Sequence, residues 1–492
     1  MSILKTSTLA LALTAALGLS AAASAASVNN GTTNTLPTKV ANVDVKDNTT
    51  VVTVPGTVNL AIDTTDLIIG RTTGFSVRVD LQNGATFGAA APVPAIGPAL
   101  PNSSGGTGPW TVSIAAGGAS GDNYVVYSVQ PGSTSLGVTS GTALSFTGLK
   151  FSNVGGLATT GSNAAAKFTF ADPNTAQQIL TPVTQNLLTS ADPLKFSVSN
   201  PAHPNAKIDV GSQVVSSKTA FSNDGSLNNA TPSYAFDTGT VSIGVNSGIY
   251  DASGATFTWA TTDTTNLTVT GTFSAFTQTG ASVKLVTAGT CASPSTTVAA
   301  TSTTGSQVTF SGVAYSSLSS TGTGILCFTL PSANSQVIDA TSVGVAATET
   351  RTATGKSSSA SANGLAMAYN GPVAKVYTFN PASNTSMQSF LRITNTGSNA
   401  GKVTITGTDD TGTAGGTVSF TLGAGKSIQL TAQDLENGNS AKGLTGSLGM
   451  GTGKWRLTVT GEIAGMEVTN LNRSQTTNQV INLGTPVSGD YK

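Results

Sequence analysis

The sequence predicts an all-β fold, a series of β-sandwich, immunoglobulin-like domains joined by short linkers, and three observations carry that expectation. Apolar and polar residues alternate in short runs such as Phe75-Ser-Val-Arg-Val-Asp-Leu81, Val373-Ala-Lys-Val-Tyr-Thr-Phe379 and Trp455-Arg-Leu-Thr-Val459, the period of two that a half-buried strand needs. Turn-forming residues separate the runs, as in Asn83-Gly84, Asn395-Thr-Gly397 and Asp409-Asp-Thr-Gly412. Charged residues make up only 9% of the 492 residues while hydrophobic ones make up 38%, against about 25% charged in an ordinary soluble protein. Disorder comes with high charge and few strand formers, so this composition describes an ordered β-protein with a neutral, hydroxyl-rich surface.

Residues 1–25 read as a secretory signal. Lys5 supplies the positive end, Leu9-Ala-Leu-Ala-Leu13 through Leu17-Gly-Leu19 the apolar stretch, and Ala23-Ser-Ala25 the small residues at the cleavage site. No later stretch offers some 20 uninterrupted apolar residues, so no transmembrane segment is expected in the mature chain. Residues 26–48 are polar, with little periodicity before Val40 and Val43, and are expected as a flexible leader or a lone strand. A first sandwich spans 49–200, its strands marked by Phe75–Leu81, Trp110-Thr-Val-Ser-Ile114, Tyr124-Val-Val-Tyr127, Leu144-Ser-Phe146 and Phe168-Thr-Phe170. Within it, Ala91-Pro-Val-Pro-Ala-Ile-Gly-Pro98 is expected as a surface loop, because proline cannot lie in a central strand. Residues 175–188 suggest a helical turn or short amphipathic segment.

Pro201-Ala-His203-Pro204 marks a joint, after which a second sandwich covers 208–345. It contains both cysteines of the chain, Cys291 and Cys327, 36 residues apart. Export to an oxidising compartment makes a single disulfide their natural pairing, one that would stabilise the fold by roughly 3 to 4 kcal/mol. Residues 346–370, with Ser357-Ser-Ser-Ala-Ser-Ala-Asn363, read as a linker. The last module, 371–485, places about seven alternating runs within some 110 residues, the spacing of a β-sandwich.

Charge and motif content narrow the chemistry. There are 22 Lys and Arg against 22 Asp and Glu, and removing the segment that carries Lys5 leaves 21 against 22. No basic face for nucleic acid is implied. The single histidine, His203, sits between prolines, a poor position for a catalytic base, and one histidine with two paired cysteines cannot complete a zinc site. Glycine is abundant, at 56 residues, without a phosphate-cradling Gly-x4-Gly-Lys element. No enzymatic activity and no required cofactor are expected. The candidate metal ligands are the oxygen-rich loops Asp63-Thr-Thr-Asp66, Asp409-Asp410 and Asp434-Leu-Glu436, which suit Ca2+ in residue type but lack EF-hand spacing. Plain turn-forming carboxylates are the competing reading.

The C-terminal pattern Ser389-Phe-Leu-Arg-Ile-Thr-Asn395, Gly401-Lys-Val-Thr-Ile405, Asp409-Asp-Thr-Gly412, Gly425-Lys-Ser427, Asp434-Leu-Glu436, Lys442-Gly-Leu444 and Gly453-Lys-Trp-Arg-Leu457 resembles a β-sandwich module recurrent in secreted bacterial proteins. In its signal, low charge, Thr/Gly/Ala-rich composition and serial β-domains, the whole chain is similar to Gram-negative surface-layer (S-layer) proteins. The resemblance implies a structural protein of the cell surface or extracellular space that forms a homo-oligomeric lattice on the outer membrane, with calcium or lipopolysaccharide as partners. The alternative is a secreted adhesin or fibre subunit that binds glycan or a surface polymer through loops such as 91–98.

Overall fold

A computed structural model describes residues 26–29, 36–103, 109–199, 201, 203–211, 218–222, 233–318, 322–484 and 487–488; the predicted signal at 1–25 lies outside them. The protein is all-β, in stacked sheets. Among the described residues the only α-helix is Ala432–Asn437. The chain divides into two compact units. One comprises Met1–Lys195 with Gly244–Thr264 and Thr348–Ala360, the other Phe196–Ile243, Thr265–Ala347 and Ser361–Lys492. Two short segments, 244–264 and 348–360, therefore group with the N-terminal unit rather than with the sequence that flanks them.

The first unit is layered around one core. A seven-stranded sheet runs in the order Ile249–Tyr250, Thr38–Ala41, Val183–Ala191, Asn163–Ala171, Phe75–Leu81, Tyr124–Gln130 and Thr111–Gly117. Four-stranded and three-stranded sheets, containing Thr57–Ile62, Gly141–Thr147 and Lys150–Ser152, contribute to the same core. In Phe75–Leu81 the residues Phe75, Val77, Val79 and Leu81 are buried and those between them are not, as period-two patterning requires. Phe146 of the smaller sheet lies 5.5 Å from Tyr127 and 6.2 Å from Phe168 of the larger one, ring to ring, so aromatic contacts join the two layers.

Several expectations change here. The leader is no loose tail: Thr38–Ala41 pairs in parallel with Val183–Ala191 and with Ile249–Tyr250, and Val40, Val43 and Val45 are buried. Residues 175–188 form no helix; Val183–Ala191 is a strand paired with Asn163–Ala171, where alternation on a sheet overrides weak helical propensity. Within Ala91–Pro98, Ala95–Ile96 pairs at a sheet edge with Gly141–Thr147, the place where flanking prolines are tolerated. Tyr127 Oη donates to the carbonyl of Pro92 at 2.8 Å, which fixes the stretch.

Two five-stranded sheets and the C-terminal sandwich complete the fold. The first five-stranded sheet runs Leu194–Ser199, Ala235–Val245, Thr323–Thr329, Ser282–Gly289 and Pro294–Ala299; the second runs Ser302–Thr303, Gln307–Ala314, Thr264–Thr270, Gly344–Arg351 and Lys356–Asn363. The expected linker at 346–370 thus supplies two strands. Its Ser/Ala/Thr composition conceals them because their cross-strand contacts are hydroxyl pairs, Thr348 with Ser359 at 2.8 Å and Thr350 with Ser357 at 2.9 Å. Thr57 with Thr147 and Thr394 with Ser427 repeat the device. Each such pair contributes roughly 0.2–1 kcal/mol, in a chain of which only 9% is charged. The rest of the linker is tied down as well, since Asn370 Oδ1 accepts from the Val210 amide and its Nδ2 donates to Asp209, both at 3.0 Å.

The C-terminal sandwich packs a sheet in the order Ala414–Leu422, Gly401–Asp409, Trp455–Gly461, Val373–Phe379 and Val487–Ser488 against Ser427–Thr431, Met387–Asn395, Met466–Ser474 and Val480–Asn482. Val376, Ile405 and Val459 of one sheet and Leu391, Ile393 and Val468 of the other share its core.

Candidate functional site

Five of the six candidate metal ligands accept hydrogen bonds from the protein's own donors, and the sixth, Asp63, gives its backbone amide to one of them. Asp66 Oδ2 accepts the Asp63 amide at 2.8 Å, closing a turn. Asp409 Oδ1 accepts the Thr411 and Thr413 amides and the Thr411 hydroxyl, and its Oδ2 accepts the Thr452 amide at 2.9 Å. Asp410 Oδ2 accepts the Lys454 amide at 2.7 Å. Asp434 is the third residue of the helix Ala432–Asn437 and completes a capping box with Thr431, the arrangement that satisfies free amides at a helix start; it also holds Lys442 Nζ at 2.6 Å. Glu436 accepts the Trp455 indole N–H at 2.8 Å and the Ala382 amide at 3.2 Å. Among the described residues no group of three or more His, Cys, Asp or Glu side chains is arranged to hold a metal.

These contacts have an electrostatic consequence. The Thr411 hydroxyl and the Thr452 amide lead in holding the Asp409 carboxyl down at about 2. Burial acts to raise Asp434, but Lys442, Thr431 and Asn439 bring it down to about 2. Both values lie below the roughly 3.9 of an unfolded aspartate. A folded pKa below the unfolded one adds stability that is complete above the unfolded pKa and is lost as pH falls through the folded one. The C-terminal module is therefore expected to lose thermal stability between about pH 5 and pH 2. Asp409→Asn should flatten that slope in melts recorded across the window; equal slopes for variant and parent would contradict the assignment.

The structure brings together a charged cluster that no local pattern announced. Arg351 Nε lies 2.8 Å from Asp44 Oδ1, and Arg351 Nη1 lies 3.0 Å from Asp263 Oδ2 and 2.9 Å from the Thr258 carbonyl. The guanidinium sits 5.0 Å from the Phe257 ring centroid. Asp263 also accepts the Ala260 and Thr352 amides, while burial pushes the Asp44 carboxyl up against the pull of Arg351. All of these residues belong to the first unit. Two more hydroxyls fasten the same 348–360 segment, Thr354 to the Val43 carbonyl and Ser358 to Asp192.

Cys291 and Cys327 form the expected disulfide, with Cα atoms 5.6 Å apart. It joins the loop after Ser282–Gly289 to the neighbouring strand Thr323–Thr329. Replacing both cysteines by Ser and Ala is expected to lower unfolding free energy by about 3 kcal/mol, read as an earlier denaturation midpoint; an unchanged midpoint would show that the loop needs no staple. His203 Nδ1 stands 3.9 Å from Asp237 Oδ2, beyond hydrogen-bond range.

Among the strands that lie outermost in their sheets, four stand out for their lack of charge: Thr111–Gly117, Pro294–Ala299, Lys356–Asn363 and Val480–Asn482. The only charged side chain among them is Lys356. Val480 and Ile481 are 59% and 52% exposed. Edge strands of monomeric proteins are commonly guarded by charge, and these are nearly without it.

No family model matches this sequence, and no curated protein matches it. Among solved structures the chain is similar to the major pilin subunit BcpA of Bacillus cereus (6% identity, 82% of this chain and 90% of that chain, TM-score 0.19). It is also similar to a putative membrane anchored protein from Corynebacterium diphtheriae (7% identity, 87% and 85%, TM-score 0.20) and to a marsupial T cell receptor (8% identity, 94% and 99%, TM-score 0.23). TM-scores this low fall short of a shared overall fold, and the roles of those proteins do not transfer.

Proposed function

We propose that this chain is a structural cell-surface protein, exported by its N-terminal signal, that assembles with its own copies into a surface layer or similar extracellular array. The observation that carries the reading is the set of open, nearly uncharged outer strands. Unpaired amides and carbonyls there can extend a sheet into a second copy, and little like-charge repulsion opposes the approach. The disulfide supports an oxidising compartment. In this reading the protein is not an enzyme, requires no cofactor, and meets a component of the outer membrane such as lipopolysaccharide as its anchoring partner.

The test is sedimentation and electron microscopy of the purified mature chain, with calcium and with a chelator. Concentration-dependent assembly is expected, and a double variant Ser113→Lys, Ile481→Lys should weaken it at least about tenfold by charging two edges while leaving the melting curve in place. A chain that stays monomeric at high concentration in both conditions overturns the proposal and favours the adhesin or fibre-subunit alternative. Loss of assembly in chelator alone would add Ca2+ as a requirement.

A further inference from the structure

The hairpin Ser282–Gly289 and Pro294–Ala299 is not a regular ribbon. Its register shifts between Val286 and Ala288 and again between Ala288 and Gly289, irregularities that bend and twist a strand pair. The loop at its end carries Cys291, which the disulfide fastens to Thr323–Thr329. Against this hairpin stands the short turn Tyr315–Ser317, and between them lies a groove of about 400 Å³.

The lining has a consistent chemistry. Five hydroxyl-bearing residues line the groove, Thr287, Thr296, Thr297, Ser316 and Ser317, and among the described residues their side chains have no hydrogen-bond partner. Elsewhere many hydroxyls are consumed internally, as at Thr354, Ser358, Ser389 and Thr411. The remaining lining is small and apolar, from Ala288, Val298 and Leu318. The lining contains no charged side chain.

We propose that this groove is a binding site for an uncharged saccharide. Hydroxyls on both walls of the groove can exchange their water for a ligand rich in hydroxyls, each acting as donor or acceptor. The three apolar side chains offer contact to the C–H faces of a pyranose ring. An anionic or cationic ligand would find no countercharge, and an apolar ligand would strip the lining hydroxyls of water without replacing their hydrogen bonds. The volume lies at the small end of the range for ligand pockets, suited to a disaccharide-sized portion of a longer chain. The site would add glycan recognition to this domain whether or not the chain assembles with its own copies.

The test uses the full mature chain and calorimetric titration with neutral oligosaccharides of the maltose, cellobiose and chitobiose series, beside an oligouronate of matched length and an uncharged extended peptide. Saturable binding to at least one neutral series is expected, without binding to the oligouronate. A Ser316→Ala, Ser317→Ala double variant, in the turn Tyr315–Ser317 and outside every edge strand, should bind at least about tenfold more weakly, the loss of two ordinary hydrogen bonds, with an unchanged melting temperature and unchanged sedimentation. That last control separates this site from the edges proposed for assembly. The proposal is overturned if no neutral saccharide binds at millimolar concentration, if the double variant binds as well as the parent, or if the oligouronate or the peptide is preferred.

Discussion

Replacing Arg351 by alanine is expected to lower the unfolding free energy of the first unit by about 4 kcal/mol. Asp44 and Asp263 are 8% and 1% exposed, so the substitution strands two buried carboxylates, and leaving a buried charge without its partner costs far more than the intact pair contributes. The cation over Phe257 is lost as well. Thermal denaturation should show the relevant transition about 10 °C lower. Arg351→Lys should recover only part of the loss, because a point-like ammonium lacks the planar fork of donors that reaches both acids at once. A shift under about 2 °C in the alanine variant would mean that the acids find other partners or water, and that the cluster does not hold the 348–360 segment in place.

The second large effect is expected at Trp455, the bulkiest fully buried side chain of the C-terminal sandwich. Trp455→Ala should destabilise the module by about 4 kcal/mol. The indole lies in a slot that three glycines create: a Cβ added at Gly407, Gly415 or Gly451 would stand 3.0, 2.9 and 2.5 Å from its ring atoms. Its N–H closes the Glu436 contact, so Trp455→Phe keeps much of the packing but leaves a buried carboxylate oxygen short of a donor, at an expected cost of about 2 kcal/mol. Denaturant melts of the two variants should rank alanine below phenylalanine and both below the parent. If phenylalanine matched the parent, the Glu436 hydrogen bond would carry no net stability.

Strand identity was legible where alternation was strong. All seven runs identified from Val373 to Val468 fall inside strands, because one buried face forces a period of two whatever the neighbours are. The signal failed where a strand buries little or pairs through hydroxyls. Lys356–Asn363 looks like linker because serine and alanine serve loops and edges equally, and only its partner Gly344–Arg351 makes it a strand. For Thr38–Ala41 the sequence offered a lone strand but not its place in a sheet, because its partners, Val183–Ala191 and Ile249–Tyr250, are far away in sequence. Of the candidate metal segments, Asp63-Thr-Thr-Asp66 and Asp409-Asp410 lie at turns, but Asp434 and Glu436 lie in the helix Ala432–Asn437 and not in a loop, and the sequence does not distinguish a vacant carboxylate from one filled by nearby amides.

By itself, then, the sequence determined the all-β class, the export signal as an expectation, the near-absence of charge and the pairing of Cys291 with Cys327, since these follow from composition, short-range periodicity and the count of two cysteines. Tertiary structure alone decided that 244–264 and 348–360 join the N-terminal unit, that Arg351 meets Asp44 and Asp263, that three of the many glycines form the slot for Trp455, and that five hydroxyls line one groove. Each of these depends on contacts between segments remote in the chain. Their energies come from burial and from pairing with specific partners, and neither is encoded in the local pattern of residues.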